Sequence, residues 1–104
     1  MKYKETAVIV EQQEIATDIF SMWLQTEAIA KEAVPGQFIS VYSSDKSRML
    51  PRPISICQID REKGRIRLVY RIAGKGTEEF AGCCAGDGLE ILGPLGNGFP
   101  LKKN

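Results

Sequence analysis

Apolar and polar residues alternate over most of this chain, and the alternation predicts strands. The clearest run is 65–72, where Ile66, Leu68, Tyr70 and Ile72 alternate with Arg65, Arg67, Val69 and Arg71. A period of two puts the two sets on opposite faces of one strand. Residues 3–14 have an apolar, β-branched centre between polar flanks and read as a first strand. Residues 16–25 read as a second; Ile19, Met22 and Trp23 also fit a helical period there, but the strand is preferred. Residues 26–34 have helix-forming composition yet run at once into Pro35-Gly36, so a loop with one helical turn is expected. Residues 37–42 form a third strand, with Ile39 and Val41 on one face and Phe38, Ser40 and Tyr42 on the other.

A polar, mobile loop is expected over 43–48, before Met49-Leu50-Pro51-Arg52-Pro53-Ile54-Ser55-Ile56-Cys57, which begins as a turn and continues as a strand to about Asp60. Arg61-Glu62-Lys63-Gly64 is a hairpin turn into the strand at 65–72. The period then breaks. Residues 73–82 read as a glycine turn entering a short helix, with Thr77 as N-cap, Glu78 and Glu79 in its first turn and Gly82 as its stop. Gly86-Asp87-Gly88 is a turn, 89–92 a last strand, and Gly93-Pro94-Leu95-Gly96-Asn97-Gly98-Phe99-Pro100 is expected to be irregular. About six short strands, tight turns and one small helix predict an all-β chain folded as a closed or nearly closed antiparallel barrel.

Length and composition narrow the function. A chain of 104 residues makes one domain and buries roughly two-thirds of its unfolded surface without help from metal or disulfides. With 14 basic and 13 acidic residues it lacks the basic excess of a nucleic-acid binder. No apolar run approaches the ~18 residues of a membrane span, no signal-peptide core follows the N-terminus, and a cytoplasmic protein is expected. Cys57, Cys83 and Cys84 are odd in number and fit no disulfide framework, zinc site or iron–sulfur spacing, so they read as small buried hydrophobes. There is no histidine, which removes the commonest general base and metal ligand. Any catalysis would rest on a cofactor.

Two stretches carry candidate chemistry. In the first, Pro51 and Pro53 lack N–H groups, so one edge of their strand cannot donate until Ser55. Arg52 stands at its mouth, and such an edge suits a flat, anionic ligand. A bare edge strand whose prolines only prevent aggregation is the simpler reading. In the second, Tyr70-Arg71-Ile72-Ala73-Gly74-Lys75-Gly76-Thr77 takes a strand through glycines into a helix start, where N–H groups and the helix dipole attract anions. Gly74 and Gly76 would let backbone approach a phosphate, and Arg52, Arg71 and Lys75 would offset Glu78 and Glu79. The stretch lacks the spacer of a Walker loop and the third glycine of a dinucleotide fingerprint. A tight turn with no ligand is the alternative.

Taken in order, Pro35-Gly36-Gln37-Phe38, Arg52-Pro53-Ile54-Ser55, Tyr70-Arg71, Gly74-Lys75-Gly76-Thr77, Gly86-Asp87 and Gly93-Pro94-Leu95-Gly96-Asn97-Gly98-Phe99 resemble the FAD-binding domain of the ferredoxin–NADP reductase superfamily. Arg-Pro-Ile-Ser in place of the usual Arg-x-Tyr-Ser, with the Gly-Pro-Leu-Gly-Asn-Gly-Phe ending, is most similar to electron-transfer subunits of class B dihydroorotate dehydrogenases. The resemblance covers residues 1–100, with 101–104 as a junction toward a nicotinamide-binding domain. It implies a six-stranded antiparallel Greek-key barrel with one short helix, and FAD as cofactor. It implies that Arg52, with Pro53 beside it, neutralises the pyrophosphate. Ile54 stands where relatives stack a tyrosine on the flavin, and Ser55 hydrogen-bonds flavin N5. Val69, Tyr70 and Arg71 line the ribityl and adenosine side, and Gly76 and Thr77 cap the pyrophosphate.

The resemblance further implies that electrons pass from NADH through FAD and a 2Fe–2S cluster to a dihydroorotate dehydrogenase catalytic subunit, in pyrimidine biosynthesis. No nucleic-acid or membrane partner is implied. The three cysteines do not supply that cluster. The chain is therefore expected to be a cut domain that holds FAD and does not by itself complete NADH oxidation. The FAD domain of another ferredoxin reductase-like oxidoreductase, or a barrel used only for protein interaction, is the alternative.

Overall fold

Hydrophobic alternation closes on itself in the computed structural model, which describes residues 2–42, 52–72 and 80–96. Six strands form a closed antiparallel barrel in the order β1-β2-β5-β4-β3-β6. They are β1 (Tyr3–Ala16), β2 (Ile19–Gln25), β3 (Phe38–Tyr42), β4 (Arg52–Asp60), β5 (Arg65–Arg71) and β6 (Gly88–Leu95). One short helix, α1 (Glu27–Glu32), links β2 to β3. The expectation of an all-β Greek-key barrel with one short helix is met.

The buried face of each strand is the one its period predicts. Ile66, Leu68 and Tyr70 of β5 face inward, as do Ile39 and Val41 of β3, Ala7 and Ile9 of β1, and Leu89 and Ile91 of β6. Cross-strand pairs such as Met22↔Leu68 and Leu24↔Ile66 fill the interior in layers. α1 covers one barrel end with Ile29, Ala30 and the following Ala33. Its last carbonyls are met by Arg61 from the β4–β5 turn, whose Nη2 donates to Ala33 O at 2.5 Å.

Several boundaries differ from expectation. Ala16 belongs to β1, and Thr17 and Asp18 make the hairpin turn, with Asp18 at φ 60° and its N–H donating to Glu14 Oε2 at 2.9 Å. Aspartate tolerates this left-handed backbone better than most residues. α1 is six residues long, more than the single turn expected, because its apolar side caps the barrel. β6 runs through Gly93-Pro94-Leu95, where irregular structure was expected. Gly93 pairs with Tyr3, Leu95 pairs with Phe38, and the ladder shifts register beside Pro94. A bulge is one of the few places a sheet accepts proline. Gly93 is required by contact: a Cβ there would lie 2.8 Å from Ile39 Cγ2 and 3.3 Å from Phe38 O. The expected loop at 43–48, Met49, Leu50 and Pro51 of the turn before β4, and Gly74, Lys75, Gly76, Thr77, Glu78 and Glu79 of the glycine turn lie outside the described residues. Phe80 and Ala81 are helical and Gly82 turns, which agrees with the stop expected there.

Candidate functional site, a wedge between two strands

β4 changes neighbours along its length. Its first residues are matched to β3, through Val41↔Arg52, Ser40↔Pro53, Ile39↔Ile54 and Phe38↔Ser55. Its matching to β5 begins only at Ile56↔Leu68. Beyond that point Val69, Tyr70 and Arg71 are matched to β2, opposite Ser21, Phe20 and Ile19. The two strands splay. A register shift between Ile56 and Gln58 marks the branch, and the inward set steps from Ile56 to Ile59 across it. Pro53 has no N–H to offer across the gap. Ile56 turns its own N–H the other way, donating to Gln37 O at 2.8 Å. By alternation the Ser55 N–H faces the β5 side.

The wedge is a groove of about 240 Å³ lined by Arg52, Pro53, Ile54, Ser55, Val69, Tyr70 and Arg71. These are seven of the nine expected cofactor residues; Gly76 and Thr77 lie outside the described residues. The volume suits one ring system or a pyrophosphate, since whole drug-sized ligands occupy roughly 300–1,000 Å³. Pro53 and Ser55 are exposed on the outer wall of the barrel, with Val69 and Arg71 across from them. Ile54 and Tyr70, 6% and 7% exposed, form the floor. Ile54 therefore offers an edge of the core, and Val69 is the more accessible aliphatic surface.

Arg52 and Arg71 are both exposed, with no carboxylate partner among the described residues. Two guanidiniums at the rim fit a pyrophosphate, which such groups hold bidentately. The Ser55 hydroxyl has no hydrogen-bond partner among the described residues and is open to a ligand. The donor set thus fits a flavin dinucleotide, with cations at the rim, a hydroxyl on one wall and an apolar floor.

Tyr70 has its phenol turned inward. Its O–H donates to Gln12 Oε1 at 2.6 Å, and its ring stacks on Phe20 with centroids 5.8 Å apart and planes 19° from parallel. Phe80 meets it edge-on at 6.5 Å. Burial pushes the Tyr70 phenol well above its ordinary value of 10.0, with the nearby Cys83 adding to the rise. A proton held more tightly in the folded chain stabilises it below the unfolded value, and that stability drains away as pH climbs. Stability is therefore expected to fall above about pH 10, and Tyr70→Phe to flatten the fall, in thermal unfolding followed from pH 8.5 upward. Equal slopes for the two proteins would show that Tyr70 does not carry the effect.

Gln12 went unnoticed in the sequence. It lies on β1 just past a register shift, opposite Met22, so it faces inward. Its Nε2 donates to Phe80 O at 2.9 Å and to Cys83 O at 2.8 Å. Gln12 stands beside Gln13 in a polar run and belongs to no motif; the signal is its phase with Met22 once the bulge is known. The motif residues outside the groove hold the frame. Gln37 accepts from Val34 N–H at 2.8 Å and donates to Gly96 O at 2.9 Å, joining the turn before β3 to the end of β6. Gly86, at φ 98°, donates its N–H to Ile9 O, and Ile9 returns the bond to Asp87 O, each at 2.8 Å.

Among the described residues no helix is long and apolar enough to cross a membrane, and no cluster of histidine, cysteine, aspartate and glutamate could hold a metal ion.

Comparison with known proteins identifies the family. Residues 6–99 match the model of the oxidoreductase FAD-binding domain. A dihydroorotate dehydrogenase B (NAD(+)) electron transfer subunit from Bacillus cereus is 38% identical over 104 residues, covering 99% of this chain and 40% of the relative. The subunit of the same name from Enterococcus faecalis is 45% identical over 98 residues, covering 94% of this chain and 37% of its own length. The chain thus spans about two-fifths of these relatives. Among solved structures, an NADH-dependent reduced ferredoxin-NADP oxidoreductase superposes with a TM-score of 0.84 at 33% identity, over 90% of this chain and 34% of that one. A ferredoxin reductase of carbazole 1,9a-dioxygenase shares the fold, with a TM-score of 0.77 at 22% identity, over 91% of this chain and 30% of that one. The chain belongs to the oxidoreductase FAD-binding domain family, and FAD is its cofactor.

Proposed function

We propose that this chain is the flavin-holding barrel of an electron-transfer subunit. That subunit would carry electrons from NADH through FAD and a 2Fe–2S cluster to a dihydroorotate dehydrogenase catalytic subunit, in pyrimidine biosynthesis. The carrying observation is the β4–β5 wedge, which gathers Arg52, Ser55, Val69 and Arg71 around one groove. The names of the bacterial relatives support the choice of partner. The nicotinamide and cluster steps would belong to other parts of a longer chain. Cys57 and Cys84 are exposed and Cys83 is half-buried, against the expectation of buried side chains, and three free thiols suit a cytoplasmic setting.

FAD accepts a hydride's two electrons and releases them singly, and the barrel's task is to hold it for that exchange. Arg52 and Arg71 would balance the pyrophosphate charge. Val69, with the floor of Ile54 and Tyr70, would press on apolar ligand surface and exclude water from it. Ser55 would set a hydroxyl beside the flavin's redox edge, at N5. Gly76 and Thr77, which follow β5 in the sequence, would cap the pyrophosphate.

The test is an absorbance spectrum of the purified chain before and after saturation with FAD and desalting. Retained flavin bands are expected. A colourless protein, for both this chain and one extended beyond Asn104, would overturn the reading and leave a barrel used for protein interaction. Reduction of the extended, flavin-loaded protein by NADH, followed by electron delivery to a dihydroorotate dehydrogenase catalytic subunit, tests the partner. The 33% identity to a ferredoxin-NADP oxidoreductase favours a second reading, the FAD domain of another such reductase. Delivery to ferredoxin and none to the dehydrogenase subunit would select it. Ser55→Ala is expected to leave FAD affinity nearly intact while shifting the flavin's reduction potential or its rate of reduction. If redox titration and stopped-flow reduction both match the unaltered protein, Ser55 does not sit at the redox edge.

A further inference from the structure

We propose that Gln12 is a positioning residue that holds the Tyr70 ring out of the flavin groove, an inference that rests on reading the groove as the flavin site. Tyr70 lines the groove yet turns its phenol away from it. Phe20 and Phe80 pack on the ring, and among the described residues its hydroxyl has one acceptor, Gln12 Oε1, at 2.6 Å. Only an amide serves both sides of this contact: its oxygen accepts from Tyr70, while its nitrogen donates to Phe80 O and Cys83 O. Gln12 thereby ties the floor of the groove to the segment that follows the glycine turn.

Removing the acceptor would orphan a buried hydroxyl, which costs more than the bond itself contributed. The groove that Tyr70 already lines is open to solvent and would offer the hydroxyl water as relief. A ring swung outward to reach it would occupy space the flavin needs. The affinity loss would then come from the Tyr70 hydroxyl and not from damage to the barrel.

That distinction gives the test. FAD affinity is measured by fluorescence titration of the full chain, with thermal unfolding recorded alongside to count folded protein. Gln12→Met is expected to weaken FAD binding about tenfold. In a Tyr70→Phe background the same Gln12→Met change is expected to cost no more than about twofold in FAD affinity relative to Tyr70→Phe alone, because phenylalanine has no hydroxyl to relieve. Should Gln12→Met not fold, Gln12→Glu keeps an acceptor for Tyr70 while losing the donor to Phe80 and Cys83; it is expected to be less stable yet to bind FAD normally per folded molecule. Unweakened binding by Gln12→Met, an equal fold-loss from Gln12→Met in the unaltered and Tyr70→Phe backgrounds, or weak binding by folded Gln12→Glu would each overturn the role. Failure of the unaltered chain to bind FAD would instead strike the flavin reading itself, and this inference with it.

Discussion

Phe80→Ala is expected to lower the unfolding free energy by about 3–5 kcal/mol, the usual cost of emptying a buried phenylalanine site. Phe80 is 1% exposed and among the largest fully buried side chains. It belongs to the core cluster and meets Tyr70 edge-on, with planes 82° apart. Tyr70 and Phe20 are part of the layered interior and cannot collapse freely into the space, so a cavity would persist. Against a total of roughly 5–15 kcal/mol for an ordinary domain, this is a large fraction. Denaturant titration should show a lowered midpoint with an unchanged slope. Phe80→Leu, which refills most of the volume, should recover most of the loss. A loss under about 1 kcal/mol for the alanine variant would mean that Phe80 is not seated as described.

The second large effect falls on the cofactor. Arg52→Ala is expected to weaken FAD binding by about 1.5–3 kcal/mol, the worth of a charge-assisted hydrogen bond. That is roughly 10- to 150-fold in the dissociation constant. Arg52 begins β4 at the open end of the wedge, where nothing among the described residues competes for its guanidinium. Since it is exposed, the loss should shrink as salt rises. Arg52→Lys should fall between, because an ammonium keeps the charge but not the planar fork. Arg65→Ala is the control: it shares the basic character of β5, but its Nε is taken by Gln25 Oε1 at 3.0 Å, away from the groove. Flavin titration showing equal affinity for Arg52→Ala and the unaltered chain would remove Arg52 from the site.

The parts of this molecule that could be read from the sequence are those governed by local period. Ile66, Leu68 and Tyr70 announce β5 because burial on one face repeats every second residue. Arg52, Ser55 and Arg71 stood out because charge and proline at a strand's mouth have few other uses. The wedge itself was not legible. It arises where β4 leaves β5 for β3 at Ile56, and a register shift of that kind follows from how three strands share a barrel wall. β6 was cut short because glycine and proline were read as a stop. Gly93 is instead demanded by the close approach of Ile39, and Pro94 sits at a bulge. Tyr70 is expected to line the ribityl and adenosine side, and it does line the groove; the bond of its phenol to Gln12 becomes visible only once β1 is folded across it.

Barrel closure has a consequence for when this protein can work. The seam joins β1 to β6, pairing Tyr3 with Gly93 and Ala7 with Leu89. Of these six strands the first in the chain must therefore wait for the sixth, and such distant pairings are slow to form. The hairpin of β4 and β5 closes over a short turn and can assemble far sooner. During synthesis the two walls of the groove would exist before the barrel that braces them. The groove is braced on all sides only once the sixth strand has closed the barrel.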